Sequence, residues 1–288
     1  MQWRGRRESD NVEDMRGRRV SRGGVVGIGG TGLVLIVVLA LLTGQNPLDL
    51  LGQIVAQQDA GTVTSTGGAP YRESATDRER REFVAVVLAD TEDVWHGVFR
   101  HEIGRDYQEP HLVLFSGAID SGCGFAQAAV GPFYCPVDQK VYIDLDFYDE
   151  LKSRFGAPGD FAQAYVIAHE VGHHVQNLLG VSGAVQAEER RAGSAVANRL
   201  SVGLELQADC LAGVWARRTE REKHVLESGD LEEALNAAAA VGDDRIQKQT
   251  QGYVVPDSFT HGSARQRASS FRHGYDGGTL ATCDGANG

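Results

Sequence analysis

The sequence of 288 residues predicts an α+β fold, mostly helical with one small β-sheet, preceded by one N-terminal transmembrane helix. Helix-period spacing of apolar residues recurs in several segments between residues 76 and 274. Two short runs, HLVLFSG and KVYIDLDF, have the β-branched and aromatic composition of strands. A mostly helical domain with one small sheet belongs to the α+β class. The third observation is an uncharged stretch near the N-terminus, long enough to cross a membrane.

The first 24 residues are basic and are predicted to be a cytoplasmic leader. They contain seven arginines and four acidic residues, so they carry +3, and the rest of the chain carries −14 of the total formal charge of −11. An acidic domain repels the phosphates of nucleic acids. Nucleic acids are therefore excluded as partners.

Residues 25–44 are predicted to form a transmembrane helix. The 18 residues from Val25 to Leu42 carry no charge, and they span about 27 Å as a helix, close to the thickness of a bilayer core. Because arginines precede the segment, the positive-inside rule predicts a single-pass protein of the cell membrane, with a cytoplasmic N-terminus and an extracytoplasmic domain. A cleaved signal peptide is the alternative, but its apolar run is usually about 7 to 15 residues. Arg18 and Arg19 give a weak twin-arginine signal.

Residues 45–75 are predicted to be a flexible linker, because they are rich in Gly, Thr and Gln and lack sustained periodicity. The folded domain is expected over residues 76–288. Thr76 and Glu79 fit a capping box at the start of its first helix. The spacing predicts strands at 111–117 and 140–147, and further helices at 160–179, 184–218, 231–249 and 264–274.

All four cysteines follow the apolar segment, on the predicted outer side, where disulfides persist. Their even number and wide spacing favour two disulfides over a thiolate metal site. Three connectivities are possible. We expect Cys123 to pair with Cys135, closing a short loop, and Cys210 to pair with Cys283, tying the C-terminal tail to a helix.

The stretch AHEVGHHVQ places three histidines and a glutamate in an apolar helical segment. Since an unpartnered polar side chain is costly to bury, something must bind these nitrogens. His169 and His173 lie four residues apart, on one face of a helix, and can share one Zn²⁺ ion. Glu170 can then reach a water molecule without binding the metal, as a catalytic general base. The alternative is a set of buried histidines satisfied by hydrogen bonds alone.

A second segment, LELQADC, offers the remaining ligand. Glu205 and Asp209 share one helical face; Glu205 would complete the metal set, and Asp209 would accept the free N–H of a liganding imidazole. This arrangement resembles the gluzincins, whose third zinc ligand is a helical glutamate followed four residues later by an acid. Asp209 as the ligand, as in aspzincins, and an ordinary solvated acidic face are the alternatives.

His261 is a candidate catalytic residue that stabilises the oxyanion formed when water attacks a carbonyl. It lies in SFTHGSARQR, which is similar to the THP-x-x-x-x-R segment of some membrane gluzincins, with Gly262 in place of the proline. A structural or helix-capping role for His261 stays open. His174 has no partner motif and is treated as non-catalytic.

The sequence as a whole resembles a bacterial family of neutral zinc metallopeptidases, the YpfJ-like family. The likeness rests on the segments RGRRESDNVEDMRG, SGCGFAQAAVGPFYCP, DQKVYIDL, AHEVGHHVQNLLG, LSVGLELQADCLAGVWA and THGSARQR. It implies a membrane-anchored, zincin-like peptidase domain with Zn²⁺ as cofactor and polypeptide as substrate.

The predicted function is thus a membrane-anchored zinc metallopeptidase, acting as an endopeptidase. The edge of the sheet at KVYIDL would bind an extended peptide by β-augmentation, and ordinary pairing of this strand inside the sheet is the alternative. The alternative is a catalytically silent module at the cell surface, stabilised by a structural zinc. Structural zinc sites are usually closed by four protein ligands, whereas the sequence offers three.

Overall fold

The computed structural model describes residues 1–17 and 71–284. Eight α-helices and six strands lie in these ranges, and the prediction of a mostly helical domain with a small sheet is confirmed. The strands are β1 (Val12–Asp14), β2 (His111–Phe115), β3 (Ala118–Ser121), β4 (Gly124–Gln127), β5 (Phe133–Cys135) and β6 (Lys140–Asp144). The helices are α1 (Ala75–Val98), α2 (Phe147–Ser153), α3 (Asp160–Leu178), α4 (Val181–Glu189), α5 (Ser194–Lys223), α6 (Asp230–Ala240), α7 (Asp243–Gln251) and α8 (Ala264–Gly277).

The four-stranded sheet has the order β1-β2-β6-β5. β1 and β6 both run parallel to β2, whereas β5 runs antiparallel to β6. β6 contains most of the KVYIDL segment that was expected to bind a peptide at the sheet edge. That expectation is wrong, because β6 has β2 on one side and β5 on the other. The edge strand next to β6 is β5.

The core lies between the sheet and the helices α1, α3, α5, α6 and α8. Aromatic side chains fill it: Phe161 of α3 stacks on Trp215 of α5 with ring centroids 5.9 Å apart, and Tyr165 meets Phe271 of α8 edge to face at 5.5 Å. These rings are all at most 2% exposed. Burial on this scale fixes the positions of α3, α5 and α8, which carry the polar residues described below.

The structure differs from the predicted division in which residues 1–24 form a leader separate from the domain. Within residues 1–17, Trp3 is buried against Phe83 of α1, and β1 pairs with β2. Arg6 and Arg7, counted above as topology signals, instead form ion pairs with acidic residues of α1. Residues 1–17 are therefore part of the folded domain.

The predicted transmembrane helix at residues 25–44 lies outside the described residues, as does most of the predicted linker. Within the two described ranges, none of the helices combines the length and apolar character that a membrane span requires.

Both expected disulfides form, linking Cys123 to Cys135 and Cys210 to Cys283. The first ties the β3–β4 hairpin to β5, and the second ties the C-terminal segment to α5. The paired residues are separated by 12 and 73 positions, respectively. A disulfide that closes a longer loop removes more entropy from the unfolded chain.

We therefore expect the double variant Cys210→Ser/Cys283→Ser to lose about 4 kcal/mol in free energy of unfolding. The matched variant Cys123→Ser/Cys135→Ser should lose about 3 kcal/mol. Urea denaturation of the two variants and the wild type measures both losses. A larger loss for the short loop would contradict the entropic explanation.

Candidate metal centre

Helices α3 and α5 cross at Gly172, where their backbones come very close. A Cβ atom at Gly172 would lie 3.0 Å from the carbonyl oxygen of Ala208 and 3.2 Å from its Cα. Only glycine permits this approach without displacing α5. The crossing turns the face of α3 that carries His169 and His173 toward α5.

The three predicted metal ligands meet at this crossing. Nε2 of His169 lies 3.2 Å from Oε2 of Glu205, and Nε2 of His173 lies 3.3 Å from Oε1 of the same carboxylate. The donor atoms of the three residues all lie within 4.8 Å of one another. Within residues 1–17 and 71–284, no fourth His, Cys, Asp or Glu joins this group.

The separations between donor atoms suit a zinc ion. In tetrahedral coordination, with ligands at about 2.0 to 2.1 Å from the metal, neighbouring ligand atoms are about 3.3 to 3.4 Å apart. The two measured N–O separations of 3.2 and 3.3 Å are close to this value. Two imidazoles and a carboxylate also form one of the ligand sets found in catalytic zinc sites.

Nε2 of each histidine faces Glu205, and the orientation of each ring is set by a hydrogen bond at Nδ1. Nδ1 of His169 lies 2.9 Å from Oδ1 of Asp209, and Nδ1 of His173 lies 2.9 Å from Oε1 of Gln176. Gln176 is anchored in turn, since its amide donates to the backbone carbonyl of Leu204 on α5 at 2.8 Å. Both Nε2 atoms are thus left facing Glu205. Asp209 contacts the opposite side of the His169 ring, and this position disfavours the alternative in which Asp209 is the ligand.

Arg267 is a residue of this site whose role was not predicted, although it is the arginine of the segment similar to THP-x-x-x-x-R. Its Nε donates to Oδ2 of Asp209 at 2.8 Å and its Nη2 donates to Oδ1 at 3.0 Å, so the pair is bidentate. Tyr165 also donates to Asp209. Asp209 is fully buried and Arg267 is 4% exposed. A buried carboxylate needs a cation nearby, and this requirement is the signal by which Arg267 could have been found.

The charges of these buried groups depend on one another. Burial favours the neutral acid, but Arg267 and His169 outweigh it and lower the pKa of Asp209. Burial likewise disfavours protonation of His169, yet Asp209 and Glu205 raise the pKa of His169 to about 10. Burial also opposes ionisation of Glu205, whose pKa nevertheless falls well below its usual value because of His173 and His169. The metal ligands are therefore set in a network of fixed charges.

The two predicted catalytic residues lie on different elements. Glu170 is 8% exposed and follows His169 on α3, about 100° further around the helix. His261 precedes α8 in a turn that packs against α5, and its side chain is 51% exposed. His261 thus lies beside the part of α5 that carries Glu205, and Glu170 is the neighbour of His169 on α3.

His174 is a buried neutral histidine rather than a fourth ligand. Its Nε2–H donates to the backbone carbonyl of Gln108 at 2.7 Å, and its Nδ1 accepts from the Tyr134 hydroxyl at 3.0 Å. Burial lowers the pKa of His174 to about 4, from the ordinary 6.5. Its role is to join α3 to the strand β5.

His174 should make the fold sensitive to acid. In the unfolded chain His174 takes up a proton near pH 6.5, whereas in the folded protein it does so only near pH 4. Neutral His174 therefore contributes about 3 kcal/mol to the free energy of unfolding. This contribution is complete above pH 6.5 and is lost as the pH falls through 4. Urea denaturation between pH 7 and pH 4 should show a smaller loss of stability for His174→Gln than for wild type. The control is His224→Gln, whose side chain is 83% exposed; equal losses in all three proteins would contradict the assignment.

Comparison with known proteins gives a consistent result over nearly the entire chain. The family described as "Putative neutral zinc metallopeptidase" matches residues 1–286. The uncharacterized protein YpfJ of Escherichia coli K12 is 49% identical over 292 residues, covering 99% of this chain and 98% of the relative. The uncharacterized protein Rv2575 of Mycobacterium tuberculosis H37Rv is 43% identical over 257 residues, covering 85% and 84%.

No solved structure matches the chain. The match to the family includes residues 1–17, which the structure places in the folded domain, as well as the two helices that carry His169, His173 and Glu205. The chain belongs to the neutral zinc metallopeptidase family, and the resemblance noted in its sequence is confirmed.

Proposed function

We propose that the protein is a zinc-dependent endopeptidase, with His169, His173 and Glu205 as the zinc ligands and Glu170 as the general base. The observation that carries this proposal is the meeting of the three donor side chains at the α3–α5 crossing, with donor separations of 3.2 and 3.3 Å. Three protein ligands leave one coordination position for water, as in catalytic zinc sites.

In this proposal each residue of the site has a separate role in peptide hydrolysis. Bound zinc supplies a Lewis acid that lowers the pKa of water to about 7 and polarises the substrate carbonyl. Glu170 accepts the proton of the attacking water and delivers it to the leaving amine. His261 donates a hydrogen bond to the carbonyl oxygen as negative charge develops there. Asp209 and Gln176 keep the two imidazoles oriented.

The substrate in this proposal is an extended polypeptide that pairs with β5. β5 is the edge strand on the side of the sheet that contacts α3, and Tyr134 of β5 reaches His174 and Asn177 on that helix. A free strand edge offers backbone donors and acceptors to a peptide. Attachment to the cell membrane through residues 25–44, with the domain outside the cytoplasm, is part of the same proposal; because residues 1–17 belong to the folded domain, they would lie on the same side of the membrane as the rest of it.

The second candidate function is a silent binding module with a structural zinc. Such sites are usually closed by four protein ligands. The described residues supply three, and this count favours catalysis. A fourth protein ligand in the coordination sphere of the zinc-loaded protein would favour the binding module instead.

The test is a cleavage assay with purified full-length protein of known zinc content. One equivalent of zinc should bind, and a library of peptides should be cleaved by the zinc-loaded form only. Chelation should abolish cleavage, and added zinc should restore it. Stoichiometric zinc without cleavage of any peptide would favour the binding module, and a failure to bind zinc would refute both functions.

A further inference from the structure

One carboxylate, that of Asp243, organises the turn that carries His261. Oδ2 of Asp243 accepts the backbone N–H groups of Thr260, His261 and Gly262 at 2.8, 2.7 and 3.0 Å. The backbone N–H of Asp243 donates in return to the carbonyl of Gly262 at 2.8 Å. Asp243 is 9% exposed and stands at the start of α7. The turn is thus anchored at three consecutive residues.

The second oxygen of the same carboxylate contacts the His261 ring. Oδ1 of Asp243 lies 3.2 Å from Nδ1 of His261, and the Thr260 hydroxyl lies 3.1 Å from the same nitrogen. Because a carboxylate oxygen can only accept, a hydrogen bond between the ring and Asp243 has Nδ1–H as its donor. Within residues 1–17 and 71–284, Nε2 of His261 has no hydrogen-bond partner, and half of the side chain is exposed. Nε2 is therefore the ring nitrogen available to a substrate.

The turn lies against the part of α5 that carries Glu205. A Cβ atom at Gly262 would lie 3.3 Å from Cγ1 of Val202 and 3.4 Å from Cδ2 of Leu206, which flank Glu205 on the helix. Gly262 has a φ of +91°, a conformation that favours glycine. This contact keeps His261 beside the candidate metal centre.

Three charged groups from three helices face the His261 ring. Burial disfavours its protonation, and Arg267 on α8 acts in the same direction. Asp243 on α7 and Glu205 on α5 oppose them and together raise the pKa of His261. The ring thus becomes more basic because of carboxylates that lie on two different helices.

We propose that Asp243 is a positioning residue for catalysis: its carboxylate accepts Nδ1–H of the doubly protonated His261 imidazolium and fixes the ring, so that Nε2–H can donate to the oxygen of the scissile carbonyl. The proposal rests on the proposed peptidase function. The alternative is that Asp243 only stabilises the turn. In that case its removal would lower stability, and it would do so equally whether or not a histidine is present at position 261.

A double-mutant cycle on the full-length, zinc-loaded protein separates the two possibilities, with kcat, KM, zinc content and melting temperature measured for each variant. His261→Gln should lower kcat by about 10²- to 10³-fold. Asp243→Asn should lower kcat by about 10- to 100-fold with KM nearly unchanged. The double variant should be no slower than His261→Gln alone. If Asp243→Asn does not fold, Asp243→Ser keeps an acceptor for the backbone N–H groups without the charge and replaces it.

The matched control is Asp244→Asn. Asp244 accepts the backbone N–H of Ala264 at 2.7 Å, next to the turn but away from the ring. The Asp244→Asn variant should keep the wild-type kcat, and any effect should be limited to the melting temperature. Additive losses in the cycle, or an equal loss of kcat in the control, would overturn the role of Asp243 and leave the peptidase intact. Absence of cleavage by wild-type protein would instead overturn the peptidase function and this inference with it.

Discussion

Replacing Glu170 with Gln is expected to lower kcat/KM for peptide hydrolysis by about 10²- to 10⁴-fold. Gln has nearly the same shape as Glu but cannot accept the proton of the attacking water. Because Glu170 is not one of the three residues whose donor atoms converge, the variant should still bind one equivalent of zinc. Its melting temperature with zinc should also stay close to that of wild type.

The control for this experiment is Glu188→Gln, which makes the same change at an exposed position of α4. It should cleave peptides at the wild-type rate. Undiminished turnover by Glu170→Gln would rule out its role as the base. A loss of zinc together with activity would show that Glu170 supports the metal ligands rather than the water.

Replacing Arg267 with Met should have the largest effect on stability. The change leaves the Asp209 carboxylate buried with no guanidinium partner, and removing one member of a buried ion pair costs about 3 to 5 kcal/mol. Since Asp209 orients His169, zinc affinity should also fall by about 10- to 100-fold. Urea denaturation of the metal-free protein and zinc titration measure the two effects separately.

Two further variants make this prediction specific. Arg265→Met removes an arginine that is exposed on the same helix, and it should change stability and zinc affinity little. Asp209→Asn combined with Arg267→Met removes both charges, and it should recover part of the stability lost by Arg267→Met alone. Wild-type stability of Arg267→Met would mean that Asp209 does not depend on Arg267 for its charge.

Much of the candidate site could be predicted from sequence because it follows from helix geometry. Residues four apart lie on one helical face, and both His169/His173 and Glu205/Asp209 have this spacing. The close approach of α5 to α3 at Gly172 is visible only in the structure. The ends of α3 were also nearly correct, since the predicted 160–179 compares with Asp160–Leu178.

Helix ends determined by local capping were harder to place. The first capping box is formed by Ser74 and Asp77, two residues before the predicted Thr76 and Glu79. The predicted helix at 231–249 is divided into α6 and α7 at Gly242, where a Cβ would lie 2.2 Å from the backbone nitrogen of Ala264. Periodicity continues through such a break, whereas the tertiary contact that causes it is not visible in the sequence.

Contacts between residues far apart in the sequence could not be predicted from spacing, even where the residue itself was part of a recognised segment, as Arg267 was. Arg267 is 58 positions from Asp209 along the chain, and Asp243 is 18 positions from His261. The same limit applies to the sheet, because pairing of β1 with β2 joins residues 12–14 to residues 112–114. Arg6 and Arg7 looked like topology signals because their acidic partners lie on α1, more than 80 positions further along the chain.

The incorporation of residues 1–17 into the domain constrains how the chain is arranged at a bilayer. Arg16 and Glu73 form an ion pair at 2.8 Å, so the chain departs toward residue 18 and returns at residue 71 from neighbouring points. Both flanks of the apolar segment must then occupy one compartment. If the apolar segment crossed the membrane once, residues 1–17 would lie on the opposite side from residues 71–284. β1 could then not pair with β2, and Trp3 could not pack in the core. If the domain is exported, the N-terminal residues have to be translocated with it.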